Sequence, residues 1–145
     1  MRDQLGQINL ANEGPKHERF ALATPEGNIH ELPIMIAEII CKANRFSTNY
    51  LGASHPAECL SESVNALKCK TIVMGVISSA QWNYEKNIVP YLESMDKYLK
   101  NNVKVILGGV REVDFPEFKN IENVMVVKSL EDFDKMLIEI KLSLR

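Results

Sequence analysis

The residues best suited to chemistry in this 145-residue chain are one histidine and a handful of small side chains. His30 follows the loop signal Thr24-Pro25-Glu26-Gly27-Asn28 and precedes a helical pattern made by Leu32, Met35, Ile36, Ile39 and Ile40. A helix N-terminus carries partial positive charge, which disfavours imidazolium and favours the neutral ring. Neutral imidazole ligates metals, and a single protein ligand suffices when the metal arrives already held in a macrocycle such as haem or a corrinoid. The plainer alternative is that His30 caps or packs at the helix start. Gly75, Ser78, Ser79, Gly108 and Gly109 fall where two apolar runs end. Missing side chains at such positions leave room for a slot, and the hydroxyls offer partners for polar ligand atoms. Ordinary turn chemistry accounts for the same glycines, since glycine adopts φ > 0 without strain.

Other chemistries lack their residues. No G-x-G-x-x-G follows the first apolar run and no G-x-x-x-x-G-K-[ST] occurs, so neither a dinucleotide nor a P-loop phosphate cradle is present. A phospho-accepting receiver needs an aspartate after its third strand, where this chain has Gly75-Val76-Ile77-Ser78-Ser79, although Lys128 stands where such domains keep a lysine. No G-x-S-x-G elbow exists, and the three histidines form no H-x-x-H or H-x-x-x-H pair. The acids Glu112 and Asp114, and the pair Glu131-Asp132, fit solvated faces and helix starts better than acid/base catalysis.

Composition narrows the class. With 46% hydrophobic and 25% charged residues, the chain has the apolar content of one soluble domain with a real core, not of a disordered segment. A net charge of −2 provides no positive field for nucleic acid or anionic membrane. Cys41, Cys59 and Cys69 are odd in number and lack C-x-x-C spacing, which points to a reducing cytoplasm rather than a disulfide framework. The N-terminus has no signal-peptide apolar run, and the window Leu32–Cys41 is too short to span a bilayer.

The elements that must position these residues follow from periodicity. Residues 1–17 are polar and read as a linker or arm, with the domain occupying 18–145. Phe20–Ala23, Thr48–Leu51, Thr71–Ile77, Val103–Leu107 and Val124–Val127 are continuous apolar runs, as expected of parallel strands buried on both faces. Between them lie helical stretches: the stripe starting at Leu32, a helix opened by Pro56 with Ala57, Leu60, Val64 and Leu67 inward, and a helix over Gln81–Asn101 that Pro90 should kink or restart. A last helix is capped by Ser129 and Asp132 and buries Leu130, Phe133, Leu137, Ile140 and Leu144. The predicted architecture is α/β: a flavodoxin-like (Rossmann-like), doubly wound, five-stranded parallel sheet of order 2-1-3-4-5. Ligands in such sheets sit beyond the carboxyl ends of the strands, near the switch between strands 1 and 3. Tyr84, Tyr91 and Tyr98 recur every seventh position, which suits either an interface or the core side of a long helix.

From Phe20 to about Lys141 the chain resembles the cobalamin (vitamin B12)-binding domain family, above all the domain at the C-terminus of light-sensing MerR-type transcription regulators. The resembling segments are ATPEGNIHELP (23–33), NYLGASHPAECLSESVNALK (49–68), TIVMGVISS (71–79) and VILGG (105–109). The family's loop motif is an acid, any residue, histidine, two residues and glycine, and its histidine replaces the cofactor's own base as lower cobalt ligand. The displaced nucleotide tail fills a slot lined by a serine after strand 3 and a Gly-Gly after strand 4. The resemblance implies cobalamin as cofactor, His30 as metal ligand, and Asn28, Gly75, Ser78, Ser79, Gly108 and Gly109 as cofactor-binding residues. Two motif positions differ: the acid is Asn28 and the glycine is Pro33.

Family regulators carry a DNA-binding winged helix and a four-helix bundle before this domain, the bundle supplying a tryptophan and a Glu-His pair over the upper cobalt face. Residues 1–17 hold neither, so the chain is expected to be an excised C-terminal domain or stand-alone remnant that meets DNA only through a separate domain. Trp82 lies elsewhere, after strand 3, where it either closes the slot or packs on a helix. The implied function is a corrinoid-binding sensor module of a transcription regulator: cytoplasmic, non-enzymatic, without membrane contact and open to homo-oligomerisation. A second reading is a member that has lost cobalamin and acts through protein contacts. A third is the corrinoid carrier of a methyltransferase or mutase.

Overall fold

A computed structural model describes residues 19–78, 82–109 and 111–143. The segment 1–17, Ser79 and Leu144 lie outside these residues. The elements are β1 (Arg19–Pro25), α1 (Leu32–Ala43), β2 (Ser47–His55), α2 (Ala57–Leu67), β3 (Thr71–Gly75), α3 (Tyr84–Tyr98), β4 (Val103–Gly108), β5 (Ile121–Val127) and α4 (Leu130–Ser143). All strand pairings are parallel and the sheet order is β2-β1-β3-β4-β5. This is the doubly wound, flavodoxin-like order expected from the sequence. Among the described residues no helix is long and apolar enough to cross a membrane.

Alternation along the central strands splits the core into two layers. Phe20 and Leu22 of β1, Val73 of β3 and Ile106 of β4 point to one side, where Ile34, Ala37 and Cys41 of α1 and Phe133 and Leu137 of α4 cover them. Ala21 and Ala23, Ile72 and Met74, and Val105 and Leu107 point to the other, under Leu60 and Val64 of α2 and Ile88, Leu92 and Met95 of α3. Each fully buried aliphatic or aromatic side chain of this size is worth ~1.5–3 kcal/mol of transfer free energy. Burial on both faces explains the unbroken apolar runs. Tyr84 is buried and Tyr91 packs on the same layer, so the tyrosine repeat serves mainly as core, with Tyr98 left exposed.

Several expectations are corrected by packing. The apolar stripe of α1 is not its core face: Leu32, Met35 and Ile39 are 66%, 50% and 66% exposed, and Ile34, Ala37 and Cys41 go inward instead. A helix apolar nearly all round offers two competing stripes. The one containing small Ala37 and Cys41 lets the helix approach the sheet, and Gly75 gives way to Ile34 beneath it. Leu130 of α4 is likewise exposed, with Phe133 and Leu137 taking the core. Helix α3 begins at Tyr84, where the Asn83 side chain accepts the Lys86 N–H, and it continues through exposed Pro90 without a restart.

The β4–β5 crossover contains no helix among the described residues. Val113, Phe115 and Phe118 cover the sheet there. Its end is tied to α3 by Asp96, whose carboxylate accepts N–H bonds from Lys119 (2.9 Å), Asn120 (2.5 Å) and Ile121 (2.9 Å). Hydrogen bonds to a charged acceptor contribute more than neutral ones.

Asp96→Ala is expected to lower unfolding free energy by about 2–3 kcal/mol in urea titrations. Burial pushes the Cys41 thiol up to about 12, with Glu38 adding to the shift, and burial pushes Cys69 up to about 11. Both are therefore protonated thiols well above neutral pH. A thiol reagent at mildly alkaline pH should modify exposed Cys59 alone in the folded chain, and all three cysteines once it is denatured.

Candidate functional site

The β1–α1 loop that carries His30 is built on three tight contacts. The Asn28 N–H donates to Pro25 O at 2.9 Å, closing a turn whose third residue, Gly27, has φ +91°. Thr24, fully buried, donates its hydroxyl to Asn28 O and accepts the Ser54 N–H at 2.8 Å. The Gly27 N–H donates to Ser54 Oγ at 3.1 Å. Glycine is needed at 27 for its positive φ, and a Cβ there would also come 3.2 Å from Cδ1 of Trp82. Trp82 thus packs beneath this loop, in the core layer with Tyr84.

Asn28 is 2% exposed, and its Nδ2 donates to Ile77 O at 3.0 Å, joining the loop after β1 to the loop after β3. Its Oδ1 is buried without a hydrogen-bond partner. An unmet buried acceptor costs free energy, so this atom is a standing site for an incoming donor. Two residues on, His30 is exposed at the rim. Helix α1 then starts at Leu32, with Pro33 in its first turn where its missing N–H costs nothing. Glu31 turns away to accept the Tyr50 hydroxyl at 2.8 Å, and burial, followed by this bond, pushes that phenol up to about 12.

Two hollows flank the Gly108-Gly109 turn. The first is an apolar groove of about 300 Å³ between the starts of α1 and α4, with Leu32, Ile36, Gly108, Val127, Leu130 and Phe133 among its walls and Lys128 and Ser129 at its mouth. The second, about 510 Å³ and more polar, is lined by Ser78, Tyr84, Glu85, Gly109, Arg111 and Lys128, with Arg111 and Glu85 paired across it. The Tyr84 hydroxyl beside it is buried without a partner, and burial with Glu112 and Glu85 pushes that phenol up to about 12.

The predicted site residues therefore separate. Gly108 and Gly109 line the groove, and a Cβ at Gly108 would meet only Val127 Cγ2, at 3.7 Å. Gly109 has φ +89°, and a Cβ there would lie 2.8 Å from Val76 O. Ser78 lines the second hollow. Its hydroxyl accepts the Tyr84 N–H at 3.2 Å, fastening the lead into α3. Gly75 lines neither hollow: a Cβ there would lie 2.9 Å from Ile34 Cγ2, so its smallness seats α1 on the sheet. Ser79 falls outside the described residues. Sequence reasoning missed Thr24 and Ser54 as clamps and Lys128 and Ser129 as groove residues. The last two stand directly after β5, and the rule that ligands gather at strand ends could have flagged them. Among the described residues no three His, Cys, Asp or Glu side chains cluster to hold a bare metal ion.

No protein-family model matches the sequence, and no curated protein matches it significantly. Solved structures do match the fold. A cobalamin-binding protein from Desulfitobacterium hafniense DCB-2 is 20% identical with a TM-score of 0.58, the match covering 84% of this chain and 58% of that one. A chain of the methanol:cobalamin methyltransferase complex MtaBC from Methanosarcina barkeri is 15% identical with a TM-score of 0.69, covering 94% of this chain and 51% of that one. At these identities the likeness is one of fold, and the chain spans somewhat more than half the length of each.

The two glycines after β4 should respond differently to the same change. Gly109→Ala is expected to cost on the order of 1–3 kcal/mol from the strained φ and the backbone clash. Gly108→Ala should change stability by no more than about 1 kcal/mol, because its site has room. Parallel urea titrations of both variants check this.

Proposed function

We propose that this chain is a corrinoid-binding module of the sensor type, with His30 as the lower ligand of the cobalt and the apolar groove as the seat of the cofactor's displaced nucleotide tail. The observation that carries the reading is an exposed His30 followed two residues later by Leu32, a wall of the apolar groove at the carboxyl ends of β4 and β5. The fold likeness to proteins described as cobalamin-binding supports it. A bound cobalamin would supply the cobalt, its axial-ligand chemistry and its visible spectrum; this chain's residues bind, orient and shield.

The residues present fit such a group. A histidine that ligates through one ring nitrogen needs an acceptor for the N–H on the other, which fixes tautomer and orientation. The unpartnered Oδ1 of Asn28 is such an acceptor. Being an amide, it offers the hydrogen bond without the negative charge of the family's carboxylate, so the ring gains orientation but little added basicity. The clamp of Thr24 and Ser54 holds the loop, and Pro33 stiffens the helix start behind it. In the groove, Leu130, Phe133 and Val127 exclude water from a flat apolar group, and Gly108 leaves the width for it.

In this reading the chain is not itself an enzyme, and with a net charge of −2 it leaves DNA contact to a separate domain of a cytoplasmic regulator. A second reading, a corrinoid carrier serving a methyltransferase, is favoured by the match to a chain of MtaBC. The two share the site and differ in partner: addition of a methyl donor and its transferase moves a methyl group onto the loaded chain only if it is a carrier.

Titration of purified protein with hydroxocobalamin should give co-elution on gel filtration and a changed visible spectrum. His30→Ala should abolish the histidine-dependent part of that change. Asn28→Ala should weaken binding by about 10–100-fold, the usual loss when the partner of a ligand histidine is removed. Absence of co-elution and of any spectral change in the unaltered protein overturns the corrinoid reading and leaves a domain that acts by protein contacts.

A further inference from the structure

We propose that the apolar groove discriminates among cobamides by the base at the end of the nucleotide tail, taking a methylated benzimidazole and excluding a purine. The inference rests on the corrinoid reading above and adds a ligand class to it. The inner wall of the groove is made of core residues, since Ile34, Val73 and Phe133 line it and are all buried. Leu32 and Leu130, two large hydrophobic side chains that the fold leaves exposed, line it as well, and an apolar group seated there would cover them. Exposed apolar surface around a concave site marks a place for an apolar ligand.

What the groove lacks decides the class. Of the described residues that line it, only Lys128 and Ser129 carry a polar side chain. Lys128 is exposed, and the Ser129 hydroxyl already accepts the Asp132 N–H at 3.1 Å at the start of α4. Pro33 has no N–H to offer, and Val73, Gly108 and Val127 are paired in the β3–β4–β5 ladder. A volume of about 300 Å³ admits either kind of fused two-ring base, so polarity, not size, separates them. Adenine carries an exocyclic amine and several ring nitrogens, and these would leave water without partners on such walls. Dimethylbenzimidazole carries methyl groups and one free ring nitrogen, so it gains from the burial that adenine resists. Because His30 takes the cobalt in this reading, the base does not bond the metal, and the preference reports the walls alone.

Absorbance titrations of the full chain with cobalamin, with the adenine-ended cobamide and with tail-less cobinamide test this. Cobalamin is expected to show a dissociation constant at least about 30-fold below that of the adenine-ended cobamide, the effect of one or two unmet buried polar groups. Cobinamide, with no tail to seat, should also bind more weakly than cobalamin. Leu130→Gln, which sets an amide into the wall, should cut the cobalamin-to-adenine preference at least about fivefold. Ile138→Gln, a similarly exposed position of α4 outside the groove, should leave the preference unchanged, and far-UV circular dichroism reports that each variant is folded. Equal affinities for the two tailed cobamides, with the histidine-dependent spectrum present in both, overturn the inference and leave the corrinoid reading standing. Cobinamide that binds as tightly as cobalamin does the same, since no tail is then seated. A preference that Leu130→Gln leaves at full strength overturns it too, by placing the discrimination outside this groove. No binding by any of the three overturns the corrinoid reading and the inference together.

Discussion

Everything in this molecule depends on the burial of a five-stranded parallel sheet on both of its faces. Parallel strands need long return connections, and covering both faces commits those connections to two layers, α1 with α4 and α2 with α3. One consequence is chemical. Every strand ends at the same edge, so the loops after β1, β3, β4 and β5 converge whether or not they are neighbours in sequence. Ser78, Gly109 and Lys128 share a hollow, and Asn28 bonds Ile77 beside Ser78, because β1, β3, β4 and β5 are successive neighbours in the sheet. The site is a by-product of topology, and its chemistry is a matter of which side chains the strand ends release.

Side chains at that edge are occupied mainly with one another. Thr24 and Ser54 fasten the first loop to the end of β2, Asn28 ties it to Ile77, and Ser78 holds the lead into α3. Against this closed network, two buried side-chain atoms among the described residues stand out as unmet, the Asn28 Oδ1 and the Tyr84 hydroxyl. A buried polar atom without a partner opposes folding, so each marks a place where stability has been forgone. The Tyr84 hydroxyl has no hydrogen-bond partner among the described residues.

Much of the fold could be read from residue order. The apolar runs at Phe20, Thr71 and Val103 announce buried strands because both of their faces are covered, and the strand order and handedness follow from general rules. What resisted reading has physical causes. Leu32, Met35 and Ile39 make a sound amphipathic stripe, but α1 carries a second one, and only the close approach permitted by Ala37, Cys41 and Gly75 decides between them. In the β4–β5 crossover, where the sequence marks no helix, Val113, Phe115 and Phe118 give apolar cover without helical spacing. Pro90 sits on the solvent side of α3, where its missing N–H is tolerated. At the site, His30, Asn28 and the Gly-Gly turn were visible as residue types. The part played by Gly75 was not, since a glycine that admits a ligand and a glycine that admits an isoleucine look alike in sequence.

The irregular end of β2 has a bearing on how this chain behaves when concentrated. β2 is one border of the sheet, and a straight border would offer a row of free amides and carbonyls to any passing strand. Here the ladder with β1 slips twice between Leu22 and Pro25, and Gly52 and Ser54 adopt left-handed backbone, φ 91° and 60°. Such kinks rotate the open hydrogen-bonding groups out of line. At the opposite border, β5 presents exposed Glu122 and Asn123 near its start. The same distortions that hold the β1–α1 loop in place thus leave the last part of β2 a poor template for a further strand.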